Sequence, residues 1–391
     1  MTKTASEPQS PLKKRNKSIR FISDAAPFDW PFFILVIILL TIGIIMMFSA
    51  SYAYAYYKYN KDSLFFVSKQ ISWAIVGVIG MLAVSFVNYR VLRVVWPFIL
   101  GISYLCLIVV LLMPAVQDVH RWIIIGESFN FQPSEIAKFT IVLVFAHLIA
   151  LFGDKMQTFK YGVLPFLLIL ASIAVLVFLE PHLSATILIA AIGIIMMIVG
   201  GTRFRWFIIL IIIGIGVILF VLLVMNKMEY AVKRIEVWLN PFSDPRGDAW
   251  QIIQSLYAIA SGGLMGVGLG NSRQKFLYIS EPQNDFVFAV VAEELGFIGA
   301  AIIIVLFALL IWRGFVIAMR SPDRFGSFLA LGLTCQVALQ VLLNIAVVTN
   351  TVPNTGISLP FFSYGGSSLV MLLLQMGLVL GISRGAKTQK Q

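Results

Sequence analysis

The chain has 391 residues, 60% of them hydrophobic and only 12% charged, with a formal net charge of +11 and a mean hydropathy of +0.94. That composition excludes a soluble globular domain and a disordered chain. The positive charge does not indicate nucleic acid, because it gathers in tails and short loops beside apolar runs, where membrane topology and anionic lipid headgroups account for it.

Residues 1–30, rich in Lys, Ser and Pro, read as a disordered basic cytoplasmic tail. The apolar run that follows is too long for a signal peptide despite Ser49-Ala50-Ser51, and further runs come after it, so it reads as an uncleaved anchor. Stretches able to cross a hydrocarbon core of about 30 Å are 31–51, 68–87, 94–113, 134–152, 161–179, 183–200, 205–225, 285–312, 325–350 and 365–383. They predict an all-α polytopic membrane protein with ten transmembrane helices in one domain, 31–383, and a short tail, 384–391. Basic residues at Arg90/Arg93, Lys155/Lys160, Arg203/Arg205, Arg313/Arg320/Arg324 and in both tails place the two termini in the cytoplasm. The loop 226–284, between helices 7 and 8, is then extracellular. It nevertheless holds Lys227, Lys233, Arg234, Arg246, Arg273 and Lys275, and cations kept there against the bias suggest an anionic ligand.

In HRWIIIG, 120–126, Arg121 stands beside Trp122 in an external loop, as an interfacial anchor or an anion contact. QPSEIAK, 132–138, reads as a helix start with Ser134 as its cap and Glu135 three residues before Lys138; a lysine one turn inside a span requires a partner or an anion. Glu180-Pro181-His182 reads most simply as a turn with a solvated acid. Within 230–276 an amphipathic helix carrying Arg234 and Trp238 is expected on the outer leaflet. GVGLG follows without the strand or lysine of a nucleotide loop, but its glycines beside Arg273 and Lys275 leave backbone amides able to approach a pyrophosphate. Pro and Gly concentrate in 240–282 and 351–366, which places any site at the outer face, and no repeat of the transporter kind is visible.

EPQNDFVFAVVAEELG, 281–296, carries Asp285, Glu293 and Glu294 at the mouth of and inside an apolar run. At 100° and 1.5 Å per residue, Glu293 lies about 80° around from Asp285 and about 12 Å deeper, while Glu294 lies about 180° around. The three are therefore not one carboxylate cluster. Asp285 sits at the interface, as a helix N-terminal acid or a functional one. Glu293 and Glu294 lie in the bilayer, where at least one must face the bundle interior and the two are not expected to share one cavity. His120, His147 and His182 lack metal-ligand spacing, and Cys106 and Cys335 read as packing residues.

LNPFSDP, SLYAIASGGLMGVGLGNSRQKF, EPQNDFVFAVVAEELG and NTGISLPFFSYGGSS, in this order among the spans, resemble the SEDS family (shape, elongation, division and sporulation), most closely its FtsW division and sporulation branch, over essentially all of 31–383. The resemblance implies a peptidoglycan glycosyltransferase that polymerises lipid II at the outer face of the bacterial plasma membrane, at the septum. It implies a class B penicillin-binding protein and other divisome membrane proteins as partners. The family's essential aspartate corresponds to Asp285. Joining a sugar hydroxyl to an anomeric carbon that bears a pyrophosphate needs a base but no strong acid, so Asp285 is expected to deprotonate the acceptor hydroxyl for an inverting attack. Candidates to hold the pyrophosphate or sugar are Arg121, Lys138, Arg234, Arg246, Arg273, Lys275 and Ser363, with Mg²⁺ or Mn²⁺ as the one candidate cofactor. Glu135, Glu180, Glu293 and Glu294 are expected to line the cavity or support it. The chain departs from the family at EPHLSAT, 180–186, which lacks the usual acid and glycine after the proline, and at Asn284, where threonine is frequent. Two other functions fit the same residues: a lipid II flippase, favoured by Glu293, Glu294, Lys138 and His147 spread through the membrane depth, and a non-catalytic scaffold for the synthase partner.

Overall fold

A computed structural model describes residues 28–59, 61–114, 121–125, 129–180, 182–209, 236–243 and 249–388, with single positions between them. Arg234, Arg246, His120 and most of the expected span 205–225 lie outside the described residues. The helices are α1 (Trp30–Lys58), α2 (Phe65–Phe86), α3 (Leu92–Leu112), α4 (Pro133–Phe152), α5 (Phe159–Gly162), α6 (Leu164–Leu179), α7 (Leu183–Val199), α8 (Trp250–Gly262), α9 (Val287–Met319), α10 (Arg324–Val348) and α11 (Gly366–Thr388). Among the described residues eight helical stretches are long and apolar enough to cross a membrane, and α7 is a shorter apolar helix of 17 residues. The chain is a multi-pass membrane protein.

Helix α4 is buried on every side through its middle, where Ile141 through Ala146 are all fully buried, which makes it the central post of the bundle. It packs against α3, α7 and α10, while α2 lies along α11 and α9 along α10. Ionic ties fasten the ends opposite Asp285. Asp29 caps α1 by accepting from the Phe32 amide at 3.1 Å and holds Arg313 of α9 at 2.7 Å. Asp323 caps α10 at the Gly326 amide and pairs with Arg90 and Arg93 at 3.0 and 2.7 Å. Two elements were not expected: an antiparallel hairpin, β1 (Ile123–Ile125) with β2 (Phe129–Phe131), and α8 within the long loop. The expected cap of α4 also differs. Gln132 is the residue before the helix, and Ser134 lies inside the first turn with a buried hydroxyl that has no partner among the described residues.

The feature that sets the path of the long loop is a break in α9 at Gly296, whose φ of 67° and ψ of −172° are not helical. A break inside a membrane helix frees backbone groups that lipid cannot satisfy. Here the loop after α8 satisfies them: Val267 and Gly268 amides donate to Glu293 and Glu294 carbonyls at 3.0 Å each, and Phe297 and Ile298 amides donate to Gly263 and Leu264 carbonyls at 2.9 and 3.1 Å. Backbone approaches this close exclude side chains, since a Cβ on Gly266 would stand 2.2 Å from the Glu294 carbonyl oxygen.

Both glutamate side chains reinforce the same contact, and neither lines the cavities beside Asp285. Glu293 accepts from the Ser272 hydroxyl and, at 2.9 Å, from the Arg273 amide. Glu294 pairs with Lys275 at 2.9 Å and accepts from Ser49 of α1 at 2.7 Å. The turn of the loop brings its residues over both directions that the helix presents. Lys275 is almost wholly buried, so removing one partner strands the other. Glu294→Leu is expected to destabilise the protein by about 3 to 5 kcal/mol, and adding Lys275→Met to recover most of that loss. Thermal unfolding in detergent checks this, and equal stabilities of the wild type and Glu294→Leu would contradict the pairing.

Candidate active site

From this clamp the chain runs through 276–284 to Asp285, two residues before α9 begins. Asn344, a polar residue inside the apolar α10, donates through one amide nitrogen to the Asp285 carbonyl at 2.8 Å and to the Ile357 carbonyl at 2.6 Å. It thereby joins the Asp285 turn to the irregular segment 351–365. In that segment Gly356 has a φ of 67°, and a Cβ there would lie 2.9 Å from the Asp285 Oδ2. Glycine suits both the left-handed backbone and the close carboxylate. Gln70 of α2 holds the far end of the segment, donating to the Ser363 carbonyl and accepting from the Gly365 amide at 3.2 Å each.

Asp285 stands on the wall between two cavities, of about 650 and 410 Å³. Arg121, Ser184, Asn284, Asp285 and Gly356 line both. The larger is otherwise bordered by neutral polar groups such as Gln251, Asn354 and Thr355 and by apolar Leu183, Leu277, Ile279 and Phe286, with Glu281 as its second acid and Arg121 as its one cation among the described residues. The smaller has three cations, Lys69, Arg121 and Lys138, against Glu135 and Asp285, with Trp73, Trp122 and Tyr364 for apolar contact. An anion is thus favoured on the smaller side. The Asp285 carboxyl is pushed up to about 6, chiefly by burial and further by the charge of Glu281, while Arg121 opposes the rise.

The residues named from sequence divide accordingly. Asp285, Arg121, Lys138 and Glu135 come together, with Lys138 pairing with Glu135 at 2.8 Å. Lys275 is spent in the buried pair with Glu294, and Arg273 is exposed on the loop away from both cavities, so neither stands with Asp285. Ser363 closes its own turn, its hydroxyl accepting from the Leu359 amide at 2.7 Å. Glu180 is not solvated but fully buried, and neither carboxylate oxygen has a hydrogen-bond partner among the described residues. Burial pushes its carboxyl up to about 8 against the pull of Arg121. His182 lies beside Gln132 on the smaller cavity and is held neutral, its ring pushed down to about 3 by burial and by Arg121 and Lys138. Sequence reading missed Lys69, Gln70, Asn344 and Gly356. The signal was present for three of them, as polar residues within or at the edge of apolar helical runs.

Any Mg²⁺ or Mn²⁺ ion held here would draw most of its ligands from substrate phosphates and water. Among the described residues no three His, Cys, Asp or Glu side chains stand together, and Glu281, the acid nearest in role to Asp285, already accepts from Tyr54 and Asn284.

Residues 29–388 match the model of the cell cycle protein family that groups FtsW, RodA and SpoVE. The chain belongs to this family. Stage V sporulation protein E of Bacillus subtilis (strain 168) is 43% identical over 355 residues, covering 90% of this chain and 95% of that protein. A protein of Trichlorobacter lovleyi named probable peptidoglycan glycosyltransferase FtsW is 38% identical over 368 residues, covering 93% and 94%. Among solved structures, a chain from "Structural coordination of polymerization and crosslinking by a peptidoglycan synthase complex" matches with a TM-score of 0.76 at 26% identity, covering 92% of this chain and 98% of that one. Thermus thermophilus rod shape determining protein RodA matches with a TM-score of 0.66 at 25% identity, covering 91% and 97%. The SEDS resemblance carried by the four motifs is thereby borne out.

For this SEDS protein, Gly356→Ala is expected to fold but to lower function, because the added Cβ pushes the carboxylate from its place. Complementation of a strain depleted of its own family member, with membrane levels measured alongside, checks this; full complementation by Gly356→Ala would contradict the geometry.

Proposed function

We propose that this protein polymerises lipid II into peptidoglycan glycan strands at the outer face of the plasma membrane during septal or sporulation wall synthesis, together with a class B penicillin-binding protein. The observation that carries this reading is that Asp285 lines both of two adjoining cavities, one with three cations and the other with Arg121 alone and a second acid. The smaller, with Lys69, Arg121 and Lys138, suits the pyrophosphate of a donor, and its aromatic side chains suit the sugar beside it. The larger, lined by amide and hydroxyl groups, suits an acceptor sugar. The outer-face assignment is supported by the basic residues at the other end of the bundle, such as Arg90, Arg93, Lys155 and Arg324.

In this reading Asp285 takes the proton of the acceptor GlcNAc 4-hydroxyl as its oxygen attacks C1 of the donor MurNAc, and the C1–oxygen bond to the lipid pyrophosphate breaks with inversion. Arg121 and Lys138 meet the charge that develops on the leaving pyrophosphate. One carboxylate suffices, because pyrophosphate leaves without a general acid. Support for this activity and for a cross-linking partner comes from the relative named a probable peptidoglycan glycosyltransferase and from the synthase-complex structure.

The test uses the full chain purified with its partner and supplied with lipid II in detergent. The wild type is expected to form polymer and Asp285→Asn to fall by about 10² to 10⁴-fold. Polymer from Asp285→Asn at the wild-type rate would sink the assignment, and lipid II transport without polymer would favour a flippase. The base works ionised and its carboxyl titrates near 6, so activity is expected to be full above that pH and lost below it; a rate that stays flat from pH 5 to 8 would contradict Asp285 as the base.

A further inference from the structure

The second acid of the larger cavity is absorbed by no role described so far. Glu281 stands one four-residue turn before Asp285, and the turn is closed by the Asn284 amide donating to the Glu281 carbonyl at 3.0 Å. The side chain closes it again, Oε2 accepting from Asn284 Nδ2 at 2.9 Å. The other oxygen, Oε1, accepts from the Tyr54 hydroxyl of α1 at 3.0 Å and lies 3.7 Å from Lys58 Nζ, which itself donates to the Tyr54 oxygen. Glu281 adopts a φ of 49°, a left-handed conformation that a non-glycine residue keeps only where its surroundings enforce it. An acid that served only to solvate a loop would need neither the strained backbone nor partners from two separate elements.

We propose that Glu281 is a positioning residue for the reaction at Asp285, fixing the Asn284–Asp285 turn by its hydrogen bonds and acting on the Asp285 carboxylate through its own charge across the larger cavity. The role rests on Asp285 being the base assigned above. Lys58, exposed at the outer end of α1, moderates the effect by neutralising part of the Glu281 charge. The other charged groups around Asp285 are Arg121 on the shared wall, Glu180 facing Arg121, and Lys69, Lys138 with Glu135, and neutral His182 on the smaller cavity. Glu281 differs from all of them in raising the proton affinity of Asp285 directly, second only to burial. A stronger base is the better acceptor for a hydroxyl proton provided it stays ionised at working pH, and a carboxyl near 6 meets both conditions.

Two substitutions with opposite expected signs test this. Glu281→Gln keeps the shape and an acceptor for Tyr54 but removes the charge; Lys58→Met leaves the Glu281 charge unmoderated. In the full-length protein, the pH dependence of Asp285 modification by dicyclohexylcarbodiimide, which reacts with the protonated carboxyl, is followed by mass spectrometry. The wild-type midpoint is expected near 6, that of Glu281→Gln about one unit lower, and that of Lys58→Met higher. Midpoints unmoved in both variants, with thermal stability retained, would overturn the proposal. The acid limb of lipid II polymerisation is expected to shift in the same two directions. Labelling midpoints that move while the polymerisation profile stays fixed would uphold the Glu281 coupling and reject Asp285 as the base, so the two failures are distinguishable.

Discussion

A membrane helix cannot be interrupted without something taking up its freed backbone groups, and the break in α9 at Gly296 is the constraint from which the rest of this site follows. The glycine loop after α8 supplies the missing hydrogen bonds, and Glu293 and Glu294 grip the same loop from the helix side. The loop is thereby fixed at both of its faces, and the chain it delivers to Asp285 starts from a rigid point. Two acids that would be costly in hydrocarbon become anchors, since the loop supplies all the donors of Glu293 and, with Ser49 of α1, those of Glu294.

On that platform the reactive geometry depends on small groups. Asn344 ties the Asp285 turn to the segment that carries Gly356, and the absence of a side chain at Gly356 leaves room for the carboxylate. Asp285 is consequently held at a partition rather than at the bottom of one pocket. Lys69 and Lys138 line only the smaller cavity, Arg121 lines both, and Glu281 lines only the larger. Burial and the Glu281 charge strengthen the carboxylate as a base, and Arg121 limits how far that goes. The same arginine faces the buried Glu180, so its charge is shared between two acids of different depth.

What the sequence disclosed, and what it did not, follows from the range of each interaction. Span existence is a property of local composition, and eight of the expected runs appear as full-length helices with α7 as a shorter one. The separation of Asp285 from Glu293 and Glu294 was also legible, because helical periodicity depends only on near neighbours. Where Glu293 and Glu294 point was not legible, because the loop that receives them arrives from twenty residues away in the chain. For the same reason Lys275 and Arg273 resembled ligands for an anion: a basic loop reads alike whether its charges meet substrate or a buried glutamate. Glu180 looked solvated because a Glu-Pro turn usually is. The hairpin after Arg121 and the cation at Lys69 matter only through what the tertiary fold brings opposite them.

With Asp285 lining both cavities, the location of bound substrate decides which part of it each cavity holds. A cryo-electron microscopy structure of the full-length protein with its partner and a non-reactive lipid II analogue would supply it. The pyrophosphate of the donor is expected in the smaller cavity, within hydrogen-bond reach of Arg121 and Lys138, with the anomeric carbon facing Asp285. Pyrophosphate density in the larger cavity beside Glu281, or on the loop at Arg273 away from both, would contradict it.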